Sequence, residues 1–293
     1  MSVLGRVFFE CKRLIAATAL LSALCGGALA QAACANADAL GTSRVLRVGT
    51  AGGPATGLKT YPRRLPLADH EVVLTFDDGP LPGPTNKVLA ALSAECVRAT
   101  FFLIGRNAAA SPELVRRETA AGHTIGHHSY SHPGVTLRGL SDAAARADID
   151  RGISAVDVAA YGAAGARPRT AFFRFPGFAD TAPLLAWLAG RDIAVFGADL
   201  WASDWAPMTP EAELALVLAR LEQARRGVIL FHDTKAQTAA MLPAFLRALK
   251  ARGYRVVHIV PGDGPAATEA AGPGWSSETE RTLGRMWPRV RGK

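Results

Sequence analysis

The feature that most constrains this chain is an alternation, repeated about seven times between residues 70 and 261, of short β-branched or aromatic runs with longer amphipathic ones. The short runs are Val72–Phe76, Thr100–Ile104, Thr124–His127, Ala171–Phe175, Ile193–Gly197, Val228–Phe231 and Arg255–Val260, and they read as strands. The segments between them carry helix punctuation. Ser111-Pro112-Glu113 sets a capping residue, a proline at the first helical position and an acid on the positive dipole end, and Gly122 stops that helix. Thr209-Pro210-Glu211 repeats the device, followed by one apolar stripe of Leu214, Val217, Leu218 and Leu221. Leu242, Phe245, Leu246 and Leu249 form another stripe, ended by Gly253. Such alternation implies an α/β domain with a mainly parallel sheet covered by helices. Periodicity alone fits both a doubly wound sheet and a closed barrel, and either gathers functional residues at the C-terminal ends of strands.

The flanks read differently. Arg6, Lys12 and Arg13 lead into the apolar run Leu14 to Leu24, and Ala28-Leu29-Ala30 offers a cleavage site. That order is a secretory signal peptide over residues 1–33, with an uncleaved anchor as the alternative. The run is short of the ~20 residues that span a bilayer, so no stable membrane insertion is expected once the signal is removed. Export to the periplasm or the exterior follows. Cys11 and Cys25 leave with the signal, and the remaining Cys34 and Cys96 favour one disulfide over two unlinked thiols. Residues 34–69, rich in Gly, Pro and Ala, read as an N-terminal arm, and residues 262–293 as a flexible C-terminal tail. The stretch between them, 70–261, reads as a single domain. The net charge of +8 is spread along the chain without a basic stripe or a nucleic-acid module, so nucleic acid is not an expected partner. The oligomeric state is not legible.

Unusual polar residues fall where such a fold puts its site. Val72-Val73-Leu74-Thr75-Phe76 ends in Asp77-Asp78-Gly79-Pro80. Adjacent carboxylates at a strand end repel, and a metal is one way to keep both ionised; a solvated turn is the other reading. His127-His128-Ser129-Tyr130-Ser131-His132 follows another strand, and His128 and His132, four apart, would share one side of a helical turn and grip one ion. Asp78, His128 and His132 supply one oxygen and two nitrogens, an open ligand set of catalytic type. Ile229-Leu230-Phe231-His232-Asp233 ends a third strand in a histidine suited to general-acid work, or merely bonded to backbone.

In order, Thr75-Phe76-Asp77-Asp78-Gly79-Pro80, His128-Ser129-x-x-His132, Arg174-Phe175-Pro176, Asp204-Trp205 and Leu230-x-His232 resemble the polysaccharide deacetylases of the NodB-homology, carbohydrate esterase 4 family, across roughly residues 70–261. The resemblance implies a distorted (β/α) barrel of about seven parallel strands. It also implies a hydrolase that removes acetyl groups from an N-acetylglucosamine glycan such as chitooligosaccharide or peptidoglycan. By resemblance Asp77 is the base, and Asp78, His128 and His132 hold a divalent metal, Zn²⁺ before Co²⁺ or Ni²⁺. His232 is the acid, Arg174 orients Asp77, and Asp204 orients His232. Pro176, Gly177, Phe178, Trp205 and Leu230 would line the substrate pocket. Gly177 stands where the family has tyrosine, with Phe178 a replacement for the lost aromatic surface. Trp201 stands where an acid is common, Asp199 is two residues earlier, and His127 replaces a small polar residue. An O-acetyl esterase acting on a polymer such as acetylxylan, and a glycan-binding module without activity, are the competing readings.

Overall fold

The computed structural model describes Cys34 and residues 36–290, with side chains as far as residue 285. The segment read as a signal peptide lies outside the described residues. Among those described, no helix is long and apolar enough to cross a membrane.

In chain order, β1 (Thr42–Gly49), β2 (Ala55–Thr56) and β3 (Arg63–Arg64) precede β4 (Glu71–Asp77) and α1 (Pro84–Ala94). Then come β5 (Thr100–Leu103), α2 (Gly105–Ala110), α3 (Pro112–Ala120), β6 (Thr124–His127) and α4 (Asp142–Tyr161). These lead to β7 (Phe172–Phe173), α5 (Ala182–Ala189), β8 (Ala194–Phe196), β9 (Leu200–Trp201) and α6 (Pro210–Ala224). The chain continues through β10 (Gly227–His232), α7 (Ala236–Ala251), β11 (Arg255–Gly262), β12 (Glu269–Ala270) and α8 (Glu278–Val290).

The strands expected from the sequence are present and parallel, and the sheet closes. From β4 the pairing runs through β5, β6 and β7 to β8. Three residues later the same chain segment becomes β9, which pairs with β10, and β10 pairs back onto β4. The ring is therefore completed by residues 194–201, one half facing each neighbour. β11 attaches at the start of β4 and carries β1 beside it. This is the expected distorted (β/α) barrel, distorted because β7 and β9 are only two residues long.

Side-chain alternation along the strands sorts two cores. Val72, Leu74 and Phe76 point outward with Phe101, Phe231 and the helix residues Leu242, Phe245 and Leu246. Val73 points inward with Phe102, Phe172, Phe196 and Val228. Burying each such side chain contributes about 1.5–3 kcal/mol relative to exposure. At the helix starts, Thr209 accepts a hydrogen bond from the Ala212 amide at 3.2 Å, whereas Ser111 precedes α3 without a side-chain cap bond.

Both flanks differ from the expectation. The N-terminal arm is part of the sheet: β1 runs in register with β11, and Arg44 reaches Glu71 at 2.8 and 2.6 Å. Cys34 and Cys96 are joined by a disulfide. Residues 262–290 are not a detached tail. β12 pairs antiparallel with β3, and the Trp275 indole donates to the Leu58 carbonyl at 2.8 Å. The start of α8 is held by Lys59 on Glu278, Thr60 with Thr279 at 3.0 Å, and Arg138 on Glu280 at 2.6 and 3.2 Å. Apolar burial adds to these contacts: Val48, Leu65 and Leu67 join the inner core, while β2, β3 and β12, at two residues each, are too short to carry a period.

Candidate active site

The alternation that sorts the cores also aims the site. Counting inward from Val73, Thr75 and Asp77 face the barrel interior; counting from Val228, so do Leu230 and His232. On β6, Ile125 packs in the outer core, so His127 shares its side and His128 has the other. His127 is accordingly buried away from the cavity, with Nε2 on the Thr170 carbonyl at 3.0 Å. Arg174 follows inward-facing Phe172 by two residues.

Asp77 is 2% exposed and Arg174 0%. The Arg174 Nη1 donates to Asp77 Oδ1 at 2.7 Å and to Thr75 Oγ1 at 2.8 Å. Its Nη2 donates to the Gly197 carbonyl at 2.9 Å and its Nε to that of Phe196 at 3.2 Å. Burial pushes the Asp77 carboxyl above its ordinary value even though Arg174 and His232 pull the other way.

Asp78 leaves β4 with φ 75°, a left-handed turn that separates its carboxylate from that of Asp77. Its Oδ1 lies 3.5 Å from Nε2 of both His128 and His132, is buried, and has no hydrogen-bond partner among the described residues. Donors bonded at about 2.1 Å to one tetrahedral ion are about 3.4 Å apart. The orphaned oxygen and the two facing nitrogens fit a divalent cation, and the three donor atoms all fall within 4.8 Å of one another. The Nδ1–H of His128 donates to the Arg174 carbonyl at 2.8 Å, which leaves the Nε2 lone pair toward Asp78. Burial and the neighbouring His132 hold the His128 imidazolium down to about 3, so this ring is neutral, as a ligand must be.

The helical turn expected from the four-residue histidine spacing is absent. Ser129 and His132 adopt φ 62° and 44°, and this looped turn brings the two rings to 5.2 Å.

His232 ends β10, where Nδ1–H donates to Asp204 Oδ1 at 2.7 Å and its backbone N–H to Oδ2 at 2.6 Å. Burial opposes the imidazolium, but Asp204, Asp78 and Asp77 outweigh it and push His232 up to about 9. The His232 Nε2 is 3.8 Å from Asp78 Oδ2. His128 Nε2 is 3.8 Å from Asp77 Oδ2. The histidine acid candidate and the carboxylate base candidate thus flank the three-donor cluster.

A cavity of about 360 Å³ opens above these groups. Gly177, Phe178, Trp205 and Leu230 line it, as does Trp201; Pro176, expected to line it, is buried and is not part of its wall. Gly177 has φ 60°, which glycine adopts without steric cost. Phe178 stacks on Trp201 with centroids 6.0 Å apart, and Trp201 meets Trp205 edge-on at 5.7 Å. Trp205 is 49% exposed, an aromatic face open to solvent at the rim. Asp199 is not at the site: its oxygens accept the amides of Leu58 and Val228 at 2.9 and 2.8 Å. Thr279, Thr282 and Leu283 of α8 also line the cavity. A sequence signal for this helix exists past the last expected strand: Leu283, Met286, Trp287 and Val290 recur at i, i+3, i+4 and i+7.

A family model described as polysaccharide deacetylase matches residues 65–188. A peptidoglycan-N-acetylglucosamine deacetylase of Listeria monocytogenes is 31% identical over 191 residues, which are 65% of this chain and 38% of that protein. The chain therefore spans well under half the length of that relative. A chitooligosaccharide deacetylase of Bradyrhizobium sp. is 31% identical over 206 residues, covering 66% of this chain and 90% of that protein. Among solved structures, a peptidoglycan deacetylase of Bdellovibrio bacteriovorus superposes with a TM-score of 0.66 at 33% identity, over 75% of this chain and 59% of that one.

Proposed function

The chain belongs to the polysaccharide deacetylase family, and from that premise we propose that it removes N-acetyl groups from an N-acetylglucosamine-containing glycan, releasing acetate. The observation that carries this reading is the placement of a buried carboxylate, Asp77, and a charged histidine, His232, on either side of the Asp78–His128–His132 cluster. The activities of those relatives support peptidoglycan or chitooligosaccharide as the glycan.

In this reading Asp78, His128 and His132 would hold a divalent ion, most simply Zn²⁺. When bound, such an ion supplies Lewis acidity, polarising the acetamide carbonyl and making water easier to deprotonate. Asp77 takes the proton from the attacking water, and Arg174 keeps that carboxylate oriented. Gly177 lines the cavity, and its backbone N–H would be the donor for the developing oxyanion. His232 gives its proton to the departing amine, and the Asp204 carboxylate supports the imidazolium that does so. Leu230 and Trp205 bound the space for the acetyl methyl, and the ring of Trp205 offers a stacking face to a sugar.

The signal-like N-terminus and the Cys34–Cys96 bridge support secretion or a periplasmic location. The test is acetate release from N-acetylglucosamine oligomers, peptidoglycan and acetylxylan, with and without a chelator. Release from the first two, abolished by chelation and restored by Zn²⁺, is expected. Release from acetylxylan alone would replace the amidase reading with an esterase.

A further inference from the structure

Behind His232 the hydrogen bonds continue past Asp204 into the helical layer. Thr238, on α7, places its hydroxyl 2.8 Å from Asp204 Oδ2 and 2.9 Å from Glu213 Oε1, on α6. Asp204, Thr238 and Glu213 are each 0% exposed. A threonine hydroxyl has one proton to give. If both carboxyls were ionised, one of them would face the hydroxyl oxygen lone pair to lone pair, with no water to intervene. The chain is satisfied only when one carboxyl carries a proton of its own.

The surroundings decide which. Asp204 already accepts two N–H donors from His232, at 2.7 and 2.6 Å, one of them from the charged imidazole. Among the described residues Glu213 has no cationic partner at bonding distance, and its Oε2 is buried without a hydrogen bond. The charged groups that bear on it are Asp204, from the loop between β9 and α6, and His232, at the end of β10. Burial first, and then the Asp204 charge, lift the Glu213 carboxyl to about 7.

We propose that Glu213 is a positioning residue held as the neutral acid, giving its proton to Thr238 so that Thr238 gives its own to Asp204 and fixes the carboxylate on which His232 is mounted. The polar chain is then directional, Glu213 to Thr238 to Asp204, and Asp204 gains a third donor. That third bond holds Oδ2 against rotation away from the His232 backbone. The inference rests on the assignment of His232 as the acid for its kinetic consequence, but the protonation of Glu213 stands independently of any substrate.

The experiment therefore has two arms on the full chain. Infrared difference spectra between the wild type and Glu213→Gln, at about pH 6, should contain the carbonyl band of a buried carboxylic acid. Acetate release should show kcat lowered about tenfold in Thr238→Val with KM unchanged, recovered in Thr238→Ser, and largely retained in Glu213→Gln, whose amide still donates to Thr238. Absence of the Glu213-dependent band, or an unchanged kcat in a folded Thr238→Val variant, would overturn the proposal. A wild type that releases no acetate from any glycan would sink the deacetylase reading alone, since the infrared arm would still report on Glu213.

Discussion

His232 and Asp204 meet twice: one residue offers both its imidazole Nδ1–H and its backbone N–H, and one carboxylate accepts them at 2.7 and 2.6 Å. The side chain of His232 is thereby aimed and its charge supported by the same group. Because a general acid must be protonated, activity is present below the raised value of about 9 and lost as pH rises through it. Asp204→Asn removes the nearest carboxylate charge, so the alkaline limb of the kcat–pH profile should move down toward the ordinary histidine value of about 6.5. At the other end, the proposed base Asp77 would have to be ionised, and its raised value puts the expected acidic limb above the usual aspartate range. A profile with its alkaline limb unmoved in Asp204→Asn would remove His232 from the acid role.

Asp77→Asn keeps the shape and the Arg174 contact but takes away the basic oxygen. It should lower kcat by roughly 10²–10⁴-fold while bound metal, measured by mass spectrometry, stays at the wild-type level. Near-normal turnover in this variant would place the base elsewhere.

The Cys34–Cys96 bridge closes a loop with a sequence separation of 62 residues. Its loss in Cys96→Ser should cost about 2–4 kcal/mol, chiefly by freeing the unfolded chain. Urea unfolding under non-reducing conditions reads this directly, and identical midpoints for both proteins would mean that the thiols are unlinked.

Leu283, on α8, is 6% exposed and forms part of the cavity wall. Leu283→Ala should raise KM for an oligomeric glycan by about tenfold, the loss expected when a binding wall gives up a few methylenes. Its kcat should hold, because no polar group of the cluster is touched. Unchanged KM across chain lengths would show that substrate does not reach α8.

Much of this was legible beforehand, for identifiable reasons. Strands buried on both faces read as continuous apolar runs, and Val72–Phe76 and Val228–Phe231 stood out as such. The polar residues that end them are conspicuous because they interrupt those runs. β2 and β9, at two residues each, are too short to carry a period. The four-residue histidine spacing suggests a helical turn, yet left-handed residues at Ser129 and His132 produce the same proximity by another route. Glu213 and Thr238 sit on amphipathic helices where a buried polar side chain looks like one more surface residue. Thr279, Thr282 and Leu283 reach the cavity through a fold-back that only the three-dimensional path reveals.

Arg174 follows β7, a two-residue strand that pairs with β6 at one position and with the three-residue β8 at two. Its bonds to the carbonyls of Phe196 and Gly197 and to Thr75 act as a cross-brace, joining strands that share few ladder rungs. The counterion of Asp77 is thus also a rivet in the wall. Lysine, with one point of attachment, cannot span those acceptors as the forked guanidinium does. Substitution at this position consequently measures the integrity of barrel closure before it measures anything about proton transfer.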